Sequence, residues 1–287
     1  MKILITGGSG FVGAAFYASG RDRFEIERFS FRNGLDDLAM DGIDAVVHFA
    51  AVVHQLHGAP EALYEAVNVD KTVALAEKAK AAGVKQFVFM SSIKACGEES
   101  DRPYTEQTPC RPEDAYGKSK RKAEELLRTL EDGTFKIAVV RAPLVYGEGV
   151  KANMLSFVRL VERFPALPFG GLQNRRSMVY VGNLAHLVGE IILQQKSGVF
   201  LAADDAPVST ARLARSIAEA LGKKVWLVPL PLFGGLLRVL KPALYRRLYQ
   251  SLYVDNTQTV ETLGLKNPYT FDEGIRRMVG DYREHRH

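Results

Sequence analysis

The sequence predicts an α/β fold in which a doubly wound parallel sheet carries helices on both faces. Short apolar runs alternate with helix-like stretches over residues 1–150. The apolar runs are continuous and rich in β-branched residues, as in strands that are buried on both faces. The alternation follows no fixed repeat period, and these three observations together are typical of a doubly wound sheet.

Each element has its own signal along the chain. The expected strands are residues 2–6, 24–31, 44–51, 86–90 and 136–141. The expected helices are residues 11–19, 60–82 and 113–130. Gly20 and Gly83 end the first two helices, because glycine readily adopts the backbone conformation that terminates a helix. Prolines between residues 103 and 112 mark a loop before the third helix.

A glycine-rich segment, TGGSGFVG at residues 6–13, lies between the first strand and the first helix. Gly7 allows a tight turn, Gly10 lets the backbone approach a pyrophosphate, and Gly13 lets the helix pack closely on the strand. The helix N-terminus adds free N–H groups and a partial positive charge. The segment therefore predicts a Rossmann-type sheet that binds a dinucleotide. The expected contacts with it are Gly7, Gly10, Phe11, Val12 and Gly13.

The end of the second strand discriminates between NAD and NADP. NAD-binding proteins commonly place a carboxylate there, which binds the ribose 2′-hydroxyl. Here the segment reads RFSFRN and contains no acid. Ser30 and Arg32 can hold a 2′-phosphate, whereas a surface loop charge is the other interpretation of Arg32. We expect NADP as the preferred cofactor and NAD as the alternative, with Asp36 close to the adenine.

Three side chains form a candidate hydride-transfer site. Ser92 follows the strand at residues 86–90, at the carboxyl end where open α/β sheets build their sites. Tyr116 and Lys120 are four residues apart in a predicted helix and share one face. Lys120 would lower the pKa of the Tyr116 phenol and bond the nicotinamide ribose, so Tyr116 and Lys120 are also expected cofactor contacts. Tyr116 would exchange a proton with the substrate oxygen, and Ser92 would bind that same oxygen.

Taken in order, these motifs resemble the extended short-chain dehydrogenase/reductase family, of the nucleotide-sugar epimerase/dehydratase type. The matching segments are TGGSGFVG, HFAA (48–51), NVDKT (68–72), the strand-end Ser92, YGKSK (116–120), VRAPLVYG (140–147) and MVYVGNLA (178–185). They span most of the chain. The resemblance implies that Ala50 and Asn68 contact the cofactor and that Asn68 helps to position the catalytic groups.

One departure from the family bears on the reaction. Family dehydratases usually carry an Asp-Glu pair directly after the catalytic Ser or Thr, but Ile93 and Lys94 stand here. This departure argues against a dehydratase. Lys94 is either a contact for a cofactor or substrate phosphate or a loop charge, and Cys96 is expected to be a packing residue.

A nucleoside diphosphate sugar carries two phosphate charges, so its site needs cations. In enzymes similar to this sequence, an Arg at the position of Arg176 binds the substrate pyrophosphate. Arg246 or Arg247 is a candidate for a further contact. The expected substrate contacts are Ser92, Tyr116, Asn153 and Arg176. The predicted partner is a UDP-sugar.

The resemblance implies a reductase that transfers hydride from NADPH to the C4 ketone of a UDP-4-keto-6-deoxy-hexose, in bacterial surface polysaccharide synthesis. SSIKACGE, RAPLVYGEGVKAN and NRRSMVYVGNL are similar to the 4-reductases that form UDP-N-acetylquinovosamine. The alternative is a UDP-glucose or UDP-N-acetylglucosamine 4-epimerase that retains NAD. A non-catalytic NADP-sensing regulator is a remote alternative, which the presence of Tyr116 and Lys120 disfavours.

Beyond residue 150 the alternation becomes irregular. We expect residues 1–150 to form the dinucleotide-binding core, to which residues 177–203 return. Residues 151–176 and 204–287 are expected to form a smaller C-terminal substrate-binding lobe. The apolar and basic stretch at residues 236–249 is interpreted as a lobe helix over the substrate cleft rather than as a helix that faces a membrane.

Composition excludes several other classes of protein. The formal net charge of +5 is a mild excess, without the basic and aromatic pattern of a nucleic-acid surface. The two cysteines show no metal-ligand spacing and fit a reducing compartment. Because the sequence has no signal peptide and no apolar run long enough to span a bilayer, we expect a cytoplasmic protein without stable membrane insertion.

Two further expectations concern metals and assembly. His48, His54 and His57 cluster in the sequence, but no Cys or acid completes a metal set, so no metal is expected. Similar enzymes commonly form homodimers through the two long core helices, which makes a homodimer an option here.

Overall fold

A parallel β-sheet of six strands forms the centre of the molecule. The computed structural model describes residues 1–31, 34–53 and 59–285. Its strands are β1 (Lys2–Thr6), β2 (Glu25–Phe29), β3 (Ala45–His48), β4 (Gln86–Ser92), β5 (Lys136–Ala142), β6 (Leu144–Tyr146), β7 (Ala166–Leu167), β8 (Met178–Tyr180), β9 (Gly198–Leu201) and β10 (Trp226–Leu227). The central sheet has the order β2-β1-β3-β4-β5-β9, with every neighbouring pair parallel. The predicted doubly wound α/β fold is confirmed.

Helices cover both faces of this sheet and build the rest of the molecule. They are α1 (Phe11–Gly20), α2 (Glu61–Tyr64), α3 (Lys71–Ala81), α4 (Ala115–Leu130), α5 (Ala152–Arg163), α6 (Val181–Leu193), α7 (Thr210–Ala220), α8 (Pro231–Leu240), α9 (Pro242–Tyr249), α10 (Thr257–Leu263) and α11 (Phe271–Glu284). A π-helical turn, Glu65–Asp70, joins α2 to α3, and a 3₁₀ turn, Ile93–Ala95, follows β4.

Alternate residues of β1 show how both faces of the sheet are buried. Ile3 belongs to an apolar cluster that includes Phe16 of α1. Leu4 points to the opposite face, into a cluster with Leu75 of α3 and Leu127 of α4. Full burial of each such side chain contributes about 1.5–3 kcal/mol, so the two clusters fix the helices on the sheet.

The order of the strands reverses between β1 and β3. β2 pairs with one side of β1, and β3 pairs with the other side. At such a switch point a crevice opens outside the carboxyl ends of the strands, where ligands bind in open α/β sheets. The loop after β1 and the end of β4 both lie at this edge of the sheet.

Two predicted elements differ from the structure near the crevice. The helix expected over residues 60–82 contains the π-helical turn, a form that is rare and occurs mostly at functional sites. The strand expected over residues 44–51 ends at His48. After His48 the chain passes so close to the first loop that a Cβ on Gly7 would lie 2.6 Å from the backbone N of Ala50.

Residues beyond 150 pack in two places. β9 pairs with β5 at the edge of the central sheet. A separate apolar cluster joins α5, α7 and α11 through residues such as Phe157, Ile217 and Met278. The assignment of residues 151–176 and 204–287 to substrate binding stays a prediction. Within the part of the chain that the structure describes, no helix is both long and apolar enough to cross a bilayer.

Candidate active site

The glycine-rich loop after β1 depends on close backbone approach. Gly7 has a φ of +69°, a conformation that side chains other than glycine rarely adopt. A Cβ at Gly13 would collide with the carbonyl oxygen of Gly7, so α1 can reach the loop only with glycine at this position. The local geometry therefore explains why these residues are glycines.

The first turn of α1 is suited to an anion. Gly10 precedes the helix and offers no side chain to cap it, and the first turn contains no acidic residue. The N–H groups at the start of the helix, including those of Phe11 and Val12, lack intrahelical partners. Together with the helix dipole they can bind a pyrophosphate, so these residues fit a dinucleotide.

The end of β2 contributes a cation beside this loop. A Cβ on Gly8 would lie 3.1 Å from Cδ of Arg28, whose guanidinium lies over the Tyr17 ring at 4.6 Å. Ser30 is exposed directly after β2, and Arg32 lies outside the described residues. Sequence reasoning missed Arg28. The sequence offered a signal for it, because Arg28 precedes Ser30 by two residues, and side chains two apart on a strand point to the same face.

Two other predicted cofactor contacts border the crevice. The backbone N of half-buried Ala50 donates a hydrogen bond to the hydroxyl of Thr6 at 3.3 Å. Asp36 is exposed. Lys78 holds its segment in place by donating to the carbonyl oxygens of Leu35 and Asp36 at 2.5 and 3.0 Å.

Ser92, Tyr116 and Lys120 meet at the carboxyl end of β4. Ser92 is the last residue of that strand, and its Oγ accepts a hydrogen bond from the backbone N of Lys94 at 3.3 Å. Tyr116 lies in the first turn of α4, and its phenol is near enough to the Ser92 hydroxyl for that hydroxyl to act on its pKa. Lys120 is buried one turn further on. Its Nζ donates to the carbonyl oxygen of Met90 at 2.8 Å and lies 6.0 Å from the centre of the Tyr116 ring.

Burial changes the acidity of two of these groups. It raises the pKa of the Tyr116 phenol to about 12, although the Ser92 hydroxyl acts in the other direction. Burial lowers the pKa of the Lys120 ammonium to about 7, against the opposing charge of Glu124. The expected lowering of the Tyr116 pKa by Lys120 is therefore not found, and the Lys120 ammonium is directed to the carbonyl oxygen of Met90 instead. Perturbed titratable groups that share a cleft are typical of acid–base sites.

The N-terminus of α4 is fixed by a charged cap. Asp114 accepts a hydrogen bond from the backbone N of Gly117 at 2.6 Å. Its other oxygen lies 2.6 Å from Nζ of Lys94, which also contacts Glu98 at 2.9 Å. Of the two interpretations of Lys94, the structure thus favours a loop charge that supports the helix start carrying Tyr116.

Asn68 links the loop after β3 to α4. It is fully buried in the π-helical turn, where it exchanges hydrogen bonds with the backbone N and O of Val52 at 2.8 and 3.0 Å. Its Nδ2 also donates to the hydroxyl of Ser119 at 3.1 Å, and that hydroxyl donates to the carbonyl oxygen of Tyr116 at 2.8 Å. Asn68 is therefore placed to position the helix, as the resemblance implies.

Sequence reasoning missed a buried ion pair beside the site. Glu124 follows Lys120 by one helical turn, and neither its carboxylate nor the guanidinium of Arg141 is exposed to solvent. Arg141 lies on β5 opposite Ser91 of β4. The signal was a carboxylate at the i+4 position after Lys120, on the helix face that Tyr116 and Lys120 share.

A second polar group contains the predicted substrate contacts. Asn153, in the first turn of α5, accepts a hydrogen bond from Nη1 of Arg247 at 3.0 Å. Arg176 donates to the carbonyl oxygen of Gln250 at 3.1 Å. Burial lowers the pKa of the Arg176 guanidinium to about 10, and the charge of Arg247 acts in the same direction. Within residues 1–31, 34–53 and 59–285, neither guanidinium has a carboxylate partner, so a diphosphate would relieve their repulsion.

The structure distinguishes the two neighbouring arginines of α9. Arg247 belongs to the group just described. Arg246 instead lies 2.9 Å from Glu113 and 3.6 Å from Glu98, in the loops that precede α4 and follow β4. This pairing ties α9 to the segment that holds Tyr116, whereas Arg247 has no carboxylate partner among the described residues.

Of the three clustered histidines, the structure describes only His48, which is engaged within the fold. The ring nitrogens of buried His48 are occupied by the hydroxyls of Thr6 at 2.7 Å and Thr72 at 3.0 Å. Burial lowers the pKa of His48 to about 3, so the ring is neutral. His54 and His57 lie outside the described residues. Elsewhere in the described chain, no group of three or more His, Cys, Asp or Glu side chains is arranged to hold a metal.

Known proteins resemble the chain in sequence. Residues 30–201 match the NAD dependent epimerase/dehydratase family. A Vibrio cholerae protein named UDP-glucose 4-epimerase is 38% identical, and the alignment covers 96% of this chain and 94% of that protein.

Solved structures resemble it in fold. The UDP-glucose 4-epimerase of Thermus thermophilus in complex with NAD has a TM-score of 0.78 at 22% identity, over 99% of this chain and 100% of that one. A human epimerase family protein with NADPH has a TM-score of 0.79 at 20% identity, over 98% and 100% of the two chains. These two similarities establish the fold alone. The reaction has to be inferred from the residues of the site.

Proposed function

Because the chain belongs to the NAD dependent epimerase/dehydratase family, we propose that it is an NADPH-dependent reductase of the C4 ketone in a UDP-linked 4-keto-6-deoxy-hexose. Family membership establishes the broader class, a nucleotide-sugar enzyme that uses a nicotinamide dinucleotide. The observation that carries the proposal is the placing of the Ser92 and Tyr116 hydroxyls together at the carboxyl end of β4, with Lys120 buried beside the Tyr116 ring.

The three side chains have separate tasks. A bound nicotinamide dinucleotide supplies the hydride. Tyr116 retains its proton at neutral pH, because the pKa of its phenol is raised to about 12, and donates it to the oxygen on which negative charge develops. Ser92 donates a hydrogen bond to that same oxygen and stabilises the charge. Lys120 provides a positive charge near the phenolate that remains.

The residues after Ser92 argue against loss of water from the sugar. Ile93 is buried and apolar, and Lys94 is held by Asp114 and Glu98. Elimination of water requires an acid and a base on the sugar, and these two positions provide neither. Hydride transfer at C4 needs no such acid and base. Besides the dinucleotide that supplies the hydride, it needs only the hydroxyls of Ser92 and Tyr116 and the ammonium of Lys120.

We assign NADP as the preferred cofactor. The end of β2 presents Ser30 in place of a carboxylate, and the guanidinium-bearing Arg28 lies against Gly8 of the glycine-rich loop. An Arg fork pairs with phosphate oxygens, so Arg28 and Arg32 suit a 2′-phosphate. The human protein of the same fold with NADPH supports this preference, and the Thermus thermophilus enzyme with NAD supports the alternative.

We assign the UDP diphosphate to Arg176, which lies just before β8, and to Arg247 of α9. Arg176 and Arg247 repel each other, and Asn153 orients the second of them. A diphosphate would neutralise both cations and accept charge-assisted hydrogen bonds from them. Arg246 ties this helix to the loop before Tyr116, and this contact supports an orientation in which the sugar end of the ligand faces Ser92 and Tyr116.

A 4-epimerase with retained NAD is the second candidate. The Vibrio cholerae relative of that name, 38% identical over nearly the whole chain, favours it. The same three side chains serve both reactions, because an epimerase oxidises and then reduces C4 within one site. The two candidates differ in whether the reduced cofactor is consumed.

The discriminating experiment follows the cofactor and the sugar together. The purified protein is mixed with NADPH and UDP-4-keto-6-deoxy-N-acetylglucosamine, and the loss of NADPH absorbance is compared with the 4-hydroxy product by mass spectrometry. We expect equal amounts of both, and no turnover with Tyr116→Phe. Interconversion of UDP-glucose and UDP-galactose without net consumption of NADPH would overturn the reductase in favour of the epimerase.

A further inference from the structure

α8 exposes an apolar stripe to solvent. Leu232, Leu236, Val239 and Leu240 stand at positions i, i+4, i+7 and i+8, so they share one face of the helix. Leu232 is 87% exposed and Val239 is 79% exposed, far more than is usual for large aliphatic side chains. We call these four residues the α8 ridge.

The opposite side of α8 is occupied. Gly234 is buried, and a Cβ there would lie 3.3 Å from the ring of Tyr249 on α9. Phe233 and Leu237 are half-buried on this inner side. Helix α9 therefore packs on the inner side. The expectation that residues 236–249 cover the substrate cleft stays a prediction, and the α8 ridge itself faces solvent. A helix that is apolar on both sides normally has a second partner.

The charged residues of the segment that contains the ridge have a single sign. Residues 221–254 contain six Lys and Arg residues and no Asp or Glu. Arg246 and Arg247 are engaged in the contacts described above, and Lys223 donates to a carbonyl oxygen. The exposed cations that flank the ridge are Lys224, Arg238 and Lys241. Among the described residues none of these three forms a salt bridge.

An aromatic side chain lies next to the same segment. Trp226 of β10 is 75% exposed and is the single tryptophan of the chain. Tryptophan favours the boundary between water and lipid, where its ring meets apolar chains and its N–H meets head groups.

We propose that the α8 ridge, Trp226 and the flanking cations form a docking surface for an anionic phospholipid membrane. An amphipathic helix with an apolar face and cationic edges lies in the plane of such a surface, with its apolar side chains at the acyl boundary. Each nearby Lys or Arg adds attraction to anionic head groups. α8 has only 10 residues, far too few to span a bilayer, so the contact is peripheral.

The charge pattern favours lipid over a second copy of this chain. In a twofold contact the same surface meets itself. Arg238 and Lys241 of two copies would then approach each other, and residues 221–254 supply no carboxylate to neutralise them. An anionic lipid supplies that charge. Docking would also place α9, which carries Arg247, one helix away from the membrane.

Vesicle binding tests the proposal directly. The full-length protein is titrated with vesicles of phosphatidylcholine containing about one third phosphatidylglycerol, and separately with phosphatidylcholine alone. We expect sedimentation with the anionic vesicles only, weakened by high salt. The emission of Trp226 should shift to shorter wavelength on binding, and no other tryptophan contributes to that signal.

Two variants separate the apolar and the charged contributions. Leu232→Ser/Val239→Ser should weaken vesicle binding by about tenfold or more, because two apolar side chains no longer enter the lipid. Arg238→Ala/Lys241→Ala should weaken binding and reduce its dependence on salt. Leu193→Ser, at a leucine of α6 that is 44% exposed and lies away from the ridge in the chain, is the control and should leave binding unchanged.

Folding and association are followed in the same samples. The melting temperatures of all variants should match that of the wild type, because the replaced side chains are exposed. Sedimentation velocity reports whether the ridge mediates contacts between copies. The proposal is overturned if wild-type protein fails to bind anionic vesicles, if the Leu193→Ser control loses binding equally, or if Leu232→Ser/Val239→Ser abolishes an oligomer and leaves vesicle binding intact.

Discussion

Glu124 and Arg141 form a bidentate ion pair from which solvent is excluded. Nη2 of Arg141 donates to Oε2 of Glu124 at 2.7 Å, and Nε donates to Oε1 at 3.1 Å. Ser91 donates its hydroxyl to the same Oε1 at 2.5 Å. Glu124 shares one face of α4 with Tyr116 and Lys120. The pair therefore fixes the helix that carries both catalytic side chains to β4 and β5.

Removing one partner of this pair should be more damaging than removing both. Glu124→Leu leaves the Arg141 guanidinium without its counter-charge in the interior, and Arg141→Met leaves the buried Glu124 carboxylate with only the more distant Arg121, at 3.5 Å, as an ion-pair partner. Each change should cost about 3–5 kcal/mol in the free energy of unfolding. We expect the double variant to be more stable than either single variant. Urea denaturation of the four proteins measures the coupling, and strictly additive losses would contradict it.

Lys120 should reduce stability at neutral pH. Burial lowers its pKa from 10.5 to about 7, so between these two values the unfolded chain binds more protons than the folded protein. Stability must therefore rise with pH across that interval. Lys120→Met removes the titrating group and should raise the melting temperature at pH 7, with a gain that shrinks toward pH 10, while it abolishes turnover.

A lysine on the exposed side of the same helix provides the control for this pH dependence. Lys118 is solvent-exposed, and Lys118→Met should leave the change of melting temperature with pH as it is in the wild type. Thermal unfolding at several pH values compares the three proteins. A gain for Lys120→Met that stays constant with pH would mean that packing, and not the buried charge, causes it.

The sequence was sufficient for features that depend on neighbours along the chain. The first strand has the predicted bounds, Lys2–Thr6, and the glycine spacing identified a loop whose close contacts require glycine at Gly7 and Gly13. Tyr116 and Lys120 could be paired because four residues make one turn of a helix. Local periodicity and turn chemistry determine all of these.

The remaining features depend on register and packing between distant segments. Arg141 meets Glu124 only because β5 pairs with β4 in a register that aligns it with Ser91. No spacing along the chain reveals that alignment. Arg246 and Arg247 are adjacent in sequence, and only the packing of α9 sends one to Glu113 and the other to Asn153. The raised pKa of Tyr116 likewise follows from burial that the sequence does not display.

Cys110 should react with alkylating agents before Cys96. Cys96 is buried, and its sulfur lies 2.8 Å from the sulfur of half-buried Cys110. A hydrogen bond from Cys96 and the charge of Arg141 lower the pKa of the Cys110 thiol. The same contact and burial raise the pKa of the Cys96 thiol. Because the thiolate is the nucleophile, iodoacetamide should modify Cys110 first at neutral pH.

Peptide mass spectrometry after short exposure to iodoacetamide identifies the modified cysteine. The native protein should carry the label on Cys110, and Cys110→Ser should show little label until it is unfolded. The labelling of Cys110 should become faster as the pH rises toward the pKa of its thiol. Equal labelling of both cysteines in the native protein would contradict the assignment of the thiolate.

The adjacent arginines of α9 should differ in their effect on nucleotide binding. Arg247 has no carboxylate partner among the described residues, so Arg247→Ala should weaken UDP binding by about 10–100-fold, as expected for the loss of hydrogen bonds to a charged group. Arg246 forms surface ion pairs with Glu113 and Glu98, which are worth about 0–1 kcal/mol. Arg246→Ala should therefore leave UDP affinity nearly unchanged. Calorimetric titration with UDP compares them, and a similar loss in both would show that net charge alone attracts the nucleotide.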